Sequence, residues 1–218
     1  NVFKMLLILY VSVLAGSDAK RQMIYNSVIA ALFPLSYLIF SCWAGFLADK
    51  FSKRTITLAT KITEFFIMTL GCVIFYNASL RGEPSSAIFW TSTLVMFLMF
   101  TQSAFFSPAK YGIIPELVRP ERLSWANGII GLTTYLSIIL GLTLATFLFG
   151  ELGVPNLYWI NMMLIVLAVV GFAAGLGIDK TAPANPVRSF DINFFPELGR
   201  YFKILAKNPI LGRTVLGL

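Results

Sequence analysis

The sequence predicts an all-α transmembrane protein, and three observations carry that expectation. Hydrophobic residues make up 57% of the 218-residue chain and charged residues 12%, whereas a soluble domain carries about 25% charged residues. The apolar residues fall into runs separated by short polar breaks, and a helix needs about 20 apolar residues to cross a hydrocarbon core of about 30 Å. The alternation of apolar and polar residues that a closed β-barrel, the other structure able to cross a bilayer, would show is absent.

Six runs occur in order along the chain. The first, 1–15, is too short to span and has neither a Met nor a basic flank before it, so the chain reads as starting part-way through a helix. Lys4 lies within it. A cation inside a span is costly unless paired or hydrated, which makes Lys4 a functional candidate, with an interfacial position as the alternative. The second run covers 23–48. The third, 55–76, sets Lys61 and Glu64 three residues apart, a spacing that permits an ion pair on one helical face.

The fourth run, 87–106, leads into a polar loop of about eighteen residues that carries Pro108, Pro115 and Pro120. Pro108 restricts the residue before it and Gly112 permits a left-handed turn, so the chain is expected to leave the membrane sharply there, with Lys110 near the headgroups. The fifth run, 125–149, carries Gly128, Gly131 and Gly141, and the sixth, 157–178, carries Gly171 and Gly175. Small residues four apart allow close helix contact in lipid, so these two runs are expected to pack on each other. Beyond them, 179–208 reads as a linker with an amphipathic helix, in which Leu198, Tyr201, Phe202 and Leu205 recur at helical spacing. Residues 209–218 read as the start of a seventh span.

The net charge of +7 sits at the ends of the runs, not on one polar face, which argues for topology signals and against nucleic acid as a partner. The breaks after runs two, four and six hold eleven Lys or Arg (50, 53, 54, 110, 119, 122, 180, 188, 200, 203, 207), and the intervening breaks hold three (20, 21, 81). The positive-inside rule then puts the even-numbered run ends in the cytoplasm. In the first of these breaks, Gly45 to Arg54, Gly45 and Ala48 are small enough for close packing, Asp49 sets a carboxylate at the membrane edge, and Lys50, Lys53 and Arg54 come next.

Catalytic chemistry is poorly supplied. Histidine is absent, which removes the usual general base and the commonest transition-metal ligand. Cys42 and Cys72 lie inside apolar runs and read as inert buried thiols. The nearest approach to a phosphate loop, Gly175 to Thr181, has Asp179 where the motif requires glycine. No enzyme, metal or cofactor is expected. Polar residues inside or at the opening of runs are the candidates for a solute path: Asn1, Lys4, Gln102, Asn127 and Asn161.

The break Gly45–Arg54 resembles the major facilitator superfamily signature G-x-L-a-D-(R/K)-x-G-x-(R/K)-(R/K) through Gly45, Leu47, Ala48, Asp49, Lys50, Lys53 and Arg54. It departs at Ser52, where glycine is usual, which implies a stiffer turn. Ser107, Pro108, Ala109, Lys110, Tyr111 and Gly112, then Pro115, Glu116 and Leu117, then Ala126, Asn127 and Gly128, resemble the bacterial lysophospholipid transporter family, including its acyltransferase-fused members. Asn1 matches the asparagine of that family's phenylalanine-x-aspartate-asparagine. The resemblance covers about 1–178 and implies the six-helix N-terminal half of a transporter in the bacterial inner membrane. It also implies a C-terminal half as partner and lysophospholipid, such as lysophosphatidylethanolamine, as cargo moved from outer to inner leaflet. No cofactor is implied. An acyltransferase, fused or separate, is a further partner; its His-x4-Asp site cannot form in a chain without histidine. A facilitator-type carrier of another amphipathic solute, or an anchor for a fused acyltransferase, is the alternative. Gly45, Asp49, Lys50, Lys53, Arg54 and Lys110 are the expected gating set, with Asp49 approaching Lys110 or a base of its own turn, and Lys110 is a candidate for meeting a lipid phosphate.

Overall fold

In a computed structural model, residues 1–81, 85–187, 203, 207 and 208 are described. The seventh span expected over 209–218 and almost all of the expected amphipathic segment lie outside them. The chain divides into two units, Asn1–Pro186 and Val187–Leu218. The first contains the helices α1 (Val2–Ala15), α2 (Ala19–Lys50), α3 (Lys53–Arg81), α4 (Ser86–Gly112), the short α5 (Ile114–Leu117), α6 (Leu123–Leu152) and α7 (Leu157–Leu176), with 3-10 turns at Pro120–Arg122 and Val154–Asn156. No strand occurs among the described residues, and five helical segments are long and apolar enough to cross a membrane.

Local chemistry sets the helix ends. The Asp18 carboxylate accepts the Arg21 amide at 3.0 Å and starts α2, and Ser85 accepts the Ala87 amide at 3.2 Å and starts α4, each supplying an acceptor to an otherwise unpaired amide. Gly16 (φ 56°) ends α1 and Gly153 (φ 67°) ends α6, and no other described residue has positive φ. The turn between α2 and α3 passes through an extended Phe51 (φ −111°, ψ 158°). It therefore needs no left-handed residue, and Ser52 fits where the superfamily signature has glycine.

The helices run past the expected apolar runs, most clearly at α4. The expected sharp exit at Pro108 does not occur: the helix continues through Pro108 to Gly112. Proline costs the helix one amide donor, but Ser107 Oγ bonds back to the Ser103 carbonyl at 2.9 Å and the next residue, Ala109, is fully buried against Ala48 and Ile56. Packing holds the turn that proline weakens. Much of the loop expected over 107–124 is thus helical.

The short α1 lies at the centre of the core. Leu6, Leu7, Tyr10 and Val11, on one side of the helix, are fully buried, and α2, α4 and α6 and the Phe75 ring of α3 pack against α1, while Val13 stays exposed. Tyr10 also accepts the Ser85 amide at 2.9 Å, tying α1 to the start of α4. Between α2 and α4, Tyr25 stacks on Phe89 with ring centroids 4.2 Å apart. By contrast α6 and α7 present large exposed apolar side chains, among them Leu132, Ile139, Phe147, Val166 and Leu167. Such surfaces suit hydrocarbon and would associate in water.

The expected pairing of the fifth and sixth runs is corrected. Those runs are α6 and α7, and α7 packs chiefly on α3 while α6 packs chiefly on α1. The glycines still mark close approaches, but to other partners. A Cβ on Gly171 would stand 3.5 Å from the Lys61 side chain and one on Gly175 would stand 3.1 Å from Leu58, both on α3, whereas one on Gly141 would meet Val2 at 3.4 Å. Gly128 and Gly131 face open space. The thiols are corrected as well: Cys42 is exposed on the outside of α2, and Cys72 is half-buried with its sulfur 3.6 Å from the Tyr158 carbonyl.

One of the two tightest glycine contacts is one that spacing does not single out. A Cβ on Gly71 would stand 2.9 Å from Phe3 and 3.3 Å from Asn161 Oδ1, so α1, α3 and α7 converge there. Gly71→Val is expected to destabilise the detergent-solubilised protein by about 1–3 kcal/mol, with Gly128→Ala within about 0.5 kcal/mol of the parent. Thermal unfolding of the two variants side by side checks this, and an unchanged midpoint for Gly71→Val would refute the packing argument.

Candidate functional site: a cationic cavity and a basic turn

Two clusters collect the polar residues of the bundle. The first is a cavity of about 340 Å³ lined from α1, α2, α4 and α6, within the range of about 300–1,000 Å³ found for small-molecule sites. Asn1 and Lys4 reach it from the start of α1, Tyr37 from α2, Ser103, Ser107 and Lys110 from α4, and Thr134 from α6; Phe33, Met96, Met99, Phe100 and Ile138 supply its apolar wall. Lys4 stands 12 residues before Gly16, about 18 Å along a helix at 1.5 Å per residue.

The hydrogen bonds in the cavity are ordered. Lys110 Nζ donates to Thr134 Oγ1 at 2.8 Å, and Thr134 donates its own proton to the Ile130 carbonyl at 2.6 Å. Ser107 donates to the Ser103 carbonyl, so in the 3.0 Å contact between Tyr37 and Ser107 the tyrosine is the donor. Lys110 also stands 5.2 Å from the Tyr111 ring centroid. Neither Lys4 nor Lys110 forms an ion pair among the described residues. The cavity wall therefore carries two ammonium groups, Lys110 held by a hydroxyl and a ring, and such a wall suits an anion.

The second cluster is the turn between α2 and α3. Lys53, whose side chain is 10% exposed, pairs with Glu116 of α5. Gly112 makes room for it: a Cβ there would stand 2.8 Å from Lys53 Cε. The glycine is helical and serves this close approach, not the left-handed turn that the sequence suggests. Arg54 donates to the Leu176 carbonyl at 3.0 Å, Ser52 Oγ lies 3.3 Å from Thr181 Oγ1, and the Asn185 amide donates to the Asp49 carbonyl at 2.9 Å. The segment after α7 is thereby fastened over the turn. Lys110 turns to Thr134, so of the two expected approaches of Asp49, to Lys110 or to a base of its own turn, the second is the one kept for the gating proposal. A Cβ on Gly45 would meet nothing within 4 Å, so its small size is not used inside this unit, whereas Ala48 is buried.

The remaining candidates separate. Gln102 is buried and donates to the Thr60 carbonyl at 3.1 Å, a bridge between α4 and α3 outside the cavity. Asn161 is fully buried and bonds the Leu157 carbonyl at 3.2 Å in the contact with Gly71. Asn127 and Gly128 lie exposed at the start of α6. Lys61 and Glu64 form the ion pair that their spacing permits, at 2.7 Å. Thr134 does not stand out in the sequence, because a threonine hydroxyl in an apolar run ordinarily bonds its own helix, and Tyr37 reads there as one more aromatic residue of an apolar run.

The fold and these clusters define a polytopic integral membrane protein of transporter type. The Major Facilitator Superfamily model matches residues 4–218, and the chain belongs to that superfamily, as the six-helix N-terminal half of its fold. Curated relatives include the lysophospholipid transporter LplT of Escherichia fergusonii, 28% identical over 167 residues, which are 76% of this chain and 37% of that protein. The LplT of Photorhabdus laumondii is 29% identical over 124 residues (56% and 27%), and that of Pectobacterium carotovorum 29% over 154 residues (71% and 33%). The aligned part of the chain thus spans about a third of the length of these relatives.

The Lys53–Glu116 pair gives a direct test of the turn. Glu116→Ala is expected to lower stability by about 1–3 kcal/mol by stranding a nearly buried ammonium, and Lys53→Met combined with Glu116→Leu to recover most of that loss. Thermal unfolding in detergent reads both. Additive losses in the double variant would show that the two side chains act separately.

Proposed function

We propose that this chain supplies one wall of a carrier that moves lysophospholipid from the outer to the inner leaflet of a bacterial inner membrane by alternating access. In this reading the turn bearing Lys50, Lys53 and Arg54 faces the cytoplasm, which the distribution of basic residues supports. The observation that carries the reading is the convergence of Lys4 and Lys110 on one cavity that also has an apolar wall. A single-chain phospholipid asks for that combination: donors for a phosphate, and apolar surface for part of an acyl chain. The names of the relatives support the same cargo.

The steps are set by the residues. The phosphate replaces Thr134 as the partner of Lys110 and is met from the other side by Lys4, while Tyr37 and Ser107 offer hydroxyls. Charge-assisted hydrogen bonds of this kind are roughly twice as strong as neutral ones. The chain lies along Phe33, Met99 and Phe100. A second half closes the cavity, and the turn at Asp49 to Arg54 is the contact released and remade as the halves rock.

Two measurements on the whole protein in proteoliposomes test this. Lys4→Gln and Lys110→Gln are each expected to cut flipping of labelled lysophosphatidylethanolamine about tenfold, the equivalent of one charge-assisted hydrogen bond. A phosphate-free single-chain amphiphile should be moved poorly by the parent and be indifferent to both substitutions. Equal transport of the phosphate-free compound would overturn the assignment of cargo. For the gate, Asp49→Ala is expected to leave the unfolding midpoint in place and slow flipping; unchanged flipping would remove Asp49 from the gating set.

A further inference from the structure

A second concavity lies apart from the cationic cavity, on the side of the bundle where α2, α3 and α4 meet. Its volume is about 560 Å³ and its lining is almost wholly apolar. Leu47 and Phe51 come from the end of α2, Ile56, Ala59 and Ile67 from α3, and Leu98 and Phe105 from α4. From Thr55 to Ile67 it runs along α3 for 12 residues, about 18 Å at 1.5 Å per residue. One leaflet of a core of about 30 Å is about 15 Å deep, so the groove runs the depth of a leaflet from the basic turn inward. Phe51, Thr55, Ala59 and Thr63 are exposed along it, which leaves it open on that side of the bundle.

The charges at its mouth are unequally used. Of the three cations in the turn, Lys53 is taken by Glu116 and Arg54 by the Leu176 carbonyl. Lys50 stands on the same face of α2 as Leu47, one turn on. Its interaction among the described residues is with the Phe46 ring, 5.3 Å from the ring centroid. With Asp49 counted and Lys53 neutralised by Glu116, the turn keeps a net charge of +1. An apolar groove one leaflet deep, open on one side and headed by a lysine that stacks on a ring, has the layout of a phospholipid site.

We infer that the groove between α2, α3 and α4 holds a resident anionic diacyl phospholipid of the leaflet on the basic side, one acyl chain lying along Ala59 and Leu98 and the phosphate meeting Lys50. The ligand class is a bilayer component and not the cargo. The inference rests on the membrane embedding of the chain and is independent of which solute the cationic cavity accepts.

The test uses the whole purified protein, delipidated and returned to phosphatidylcholine nanodiscs with increasing phosphatidylglycerol, with retained lipid read by native mass spectrometry. One saturable phosphatidylglycerol is expected on the parent, in preference to phosphatidylcholine. Lys50→Gln should weaken its retention about fivefold, the effect of one lysine at a membrane surface, and Ala59→Trp should remove it by filling the groove. Thr63→Trp, at an exposed position on the same wall, replaces Ala59→Trp if that variant fails to fold. Equal retention of the two lipids, or retention unaltered by a folded tryptophan variant, would overturn the site. So would displacement of phosphatidylglycerol by lysophosphatidylethanolamine, which would make the groove part of the cargo path. The readout is lipid retention, so failure of the transport reading leaves it untouched.

Discussion

A lysine folded under a helix end must find an anion, and the meeting of Lys53 with Glu116 is the contact around which the basic end of the bundle is built. The pair joins the first residue of α3 to the short α5 beyond α4. It fits only because Gly112 has no side chain, and a buried ammonium without a carboxylate would be strongly destabilising. Once Lys53 is held there, Arg54 points to the end of α7 and Ser52 meets Thr181. Three helix ends and the segment after α7 are gathered by one short turn. At the opposite end a neutral contact, Tyr10 with Ser85, links α1 to α4.

The same pair shows how far the sequence can be read. Helix number, the apolar runs and the Lys61–Glu64 contact arise from local periodicity, which is carried by covalent neighbours. Lys53 and Glu116 stand 63 residues apart, and nothing in their spacing announces a contact. Both lie in motif segments, but a motif names residues without pairing them. The convergence of Lys4 with Lys110 is hidden for the same reason: in sequence one is a cation within an apolar run and the other a cation near the headgroups, and only the crossing of α1 with α4 brings them together. Glycines are legible as close approaches and illegible as to partner. Pro108 misleads because the rule that proline ends a helix is local, while the burial of Ala109 against Ala48 is not.

The placement of α1 resolves a tension in the composition. It is the shortest of the six principal helices and yet the most deeply packed, because longer neighbours cover most of its surface. On the outer helix α6 the buried residues are the small Ala126 and Ala145 while large apolar side chains face outward, and α7 likewise exposes Val166 and Leu167 although it also buries Leu157 and Ile160. In water this would be an inverted protein. In hydrocarbon, where apolar exposure costs little, interior positions go to residues that allow close backbone approach and to the few polar groups that bind helices together.

The two ammonium groups of the cavity have an electrical consequence. Lys110 is held by a hydroxyl and a ring, and neither it nor Lys4 meets a carboxylate among the described residues, so their charge is not cancelled there. Any rearrangement that shifts them along the membrane normal moves charge through the transmembrane field, which acts with about 2.3 kcal/mol per elementary charge per 100 mV. A bound phosphate would neutralise part of that charge, so the loaded and empty forms of the half feel different forces from one voltage. On the proposed reading, the force that a voltage exerts on the cavity would depend on its occupancy.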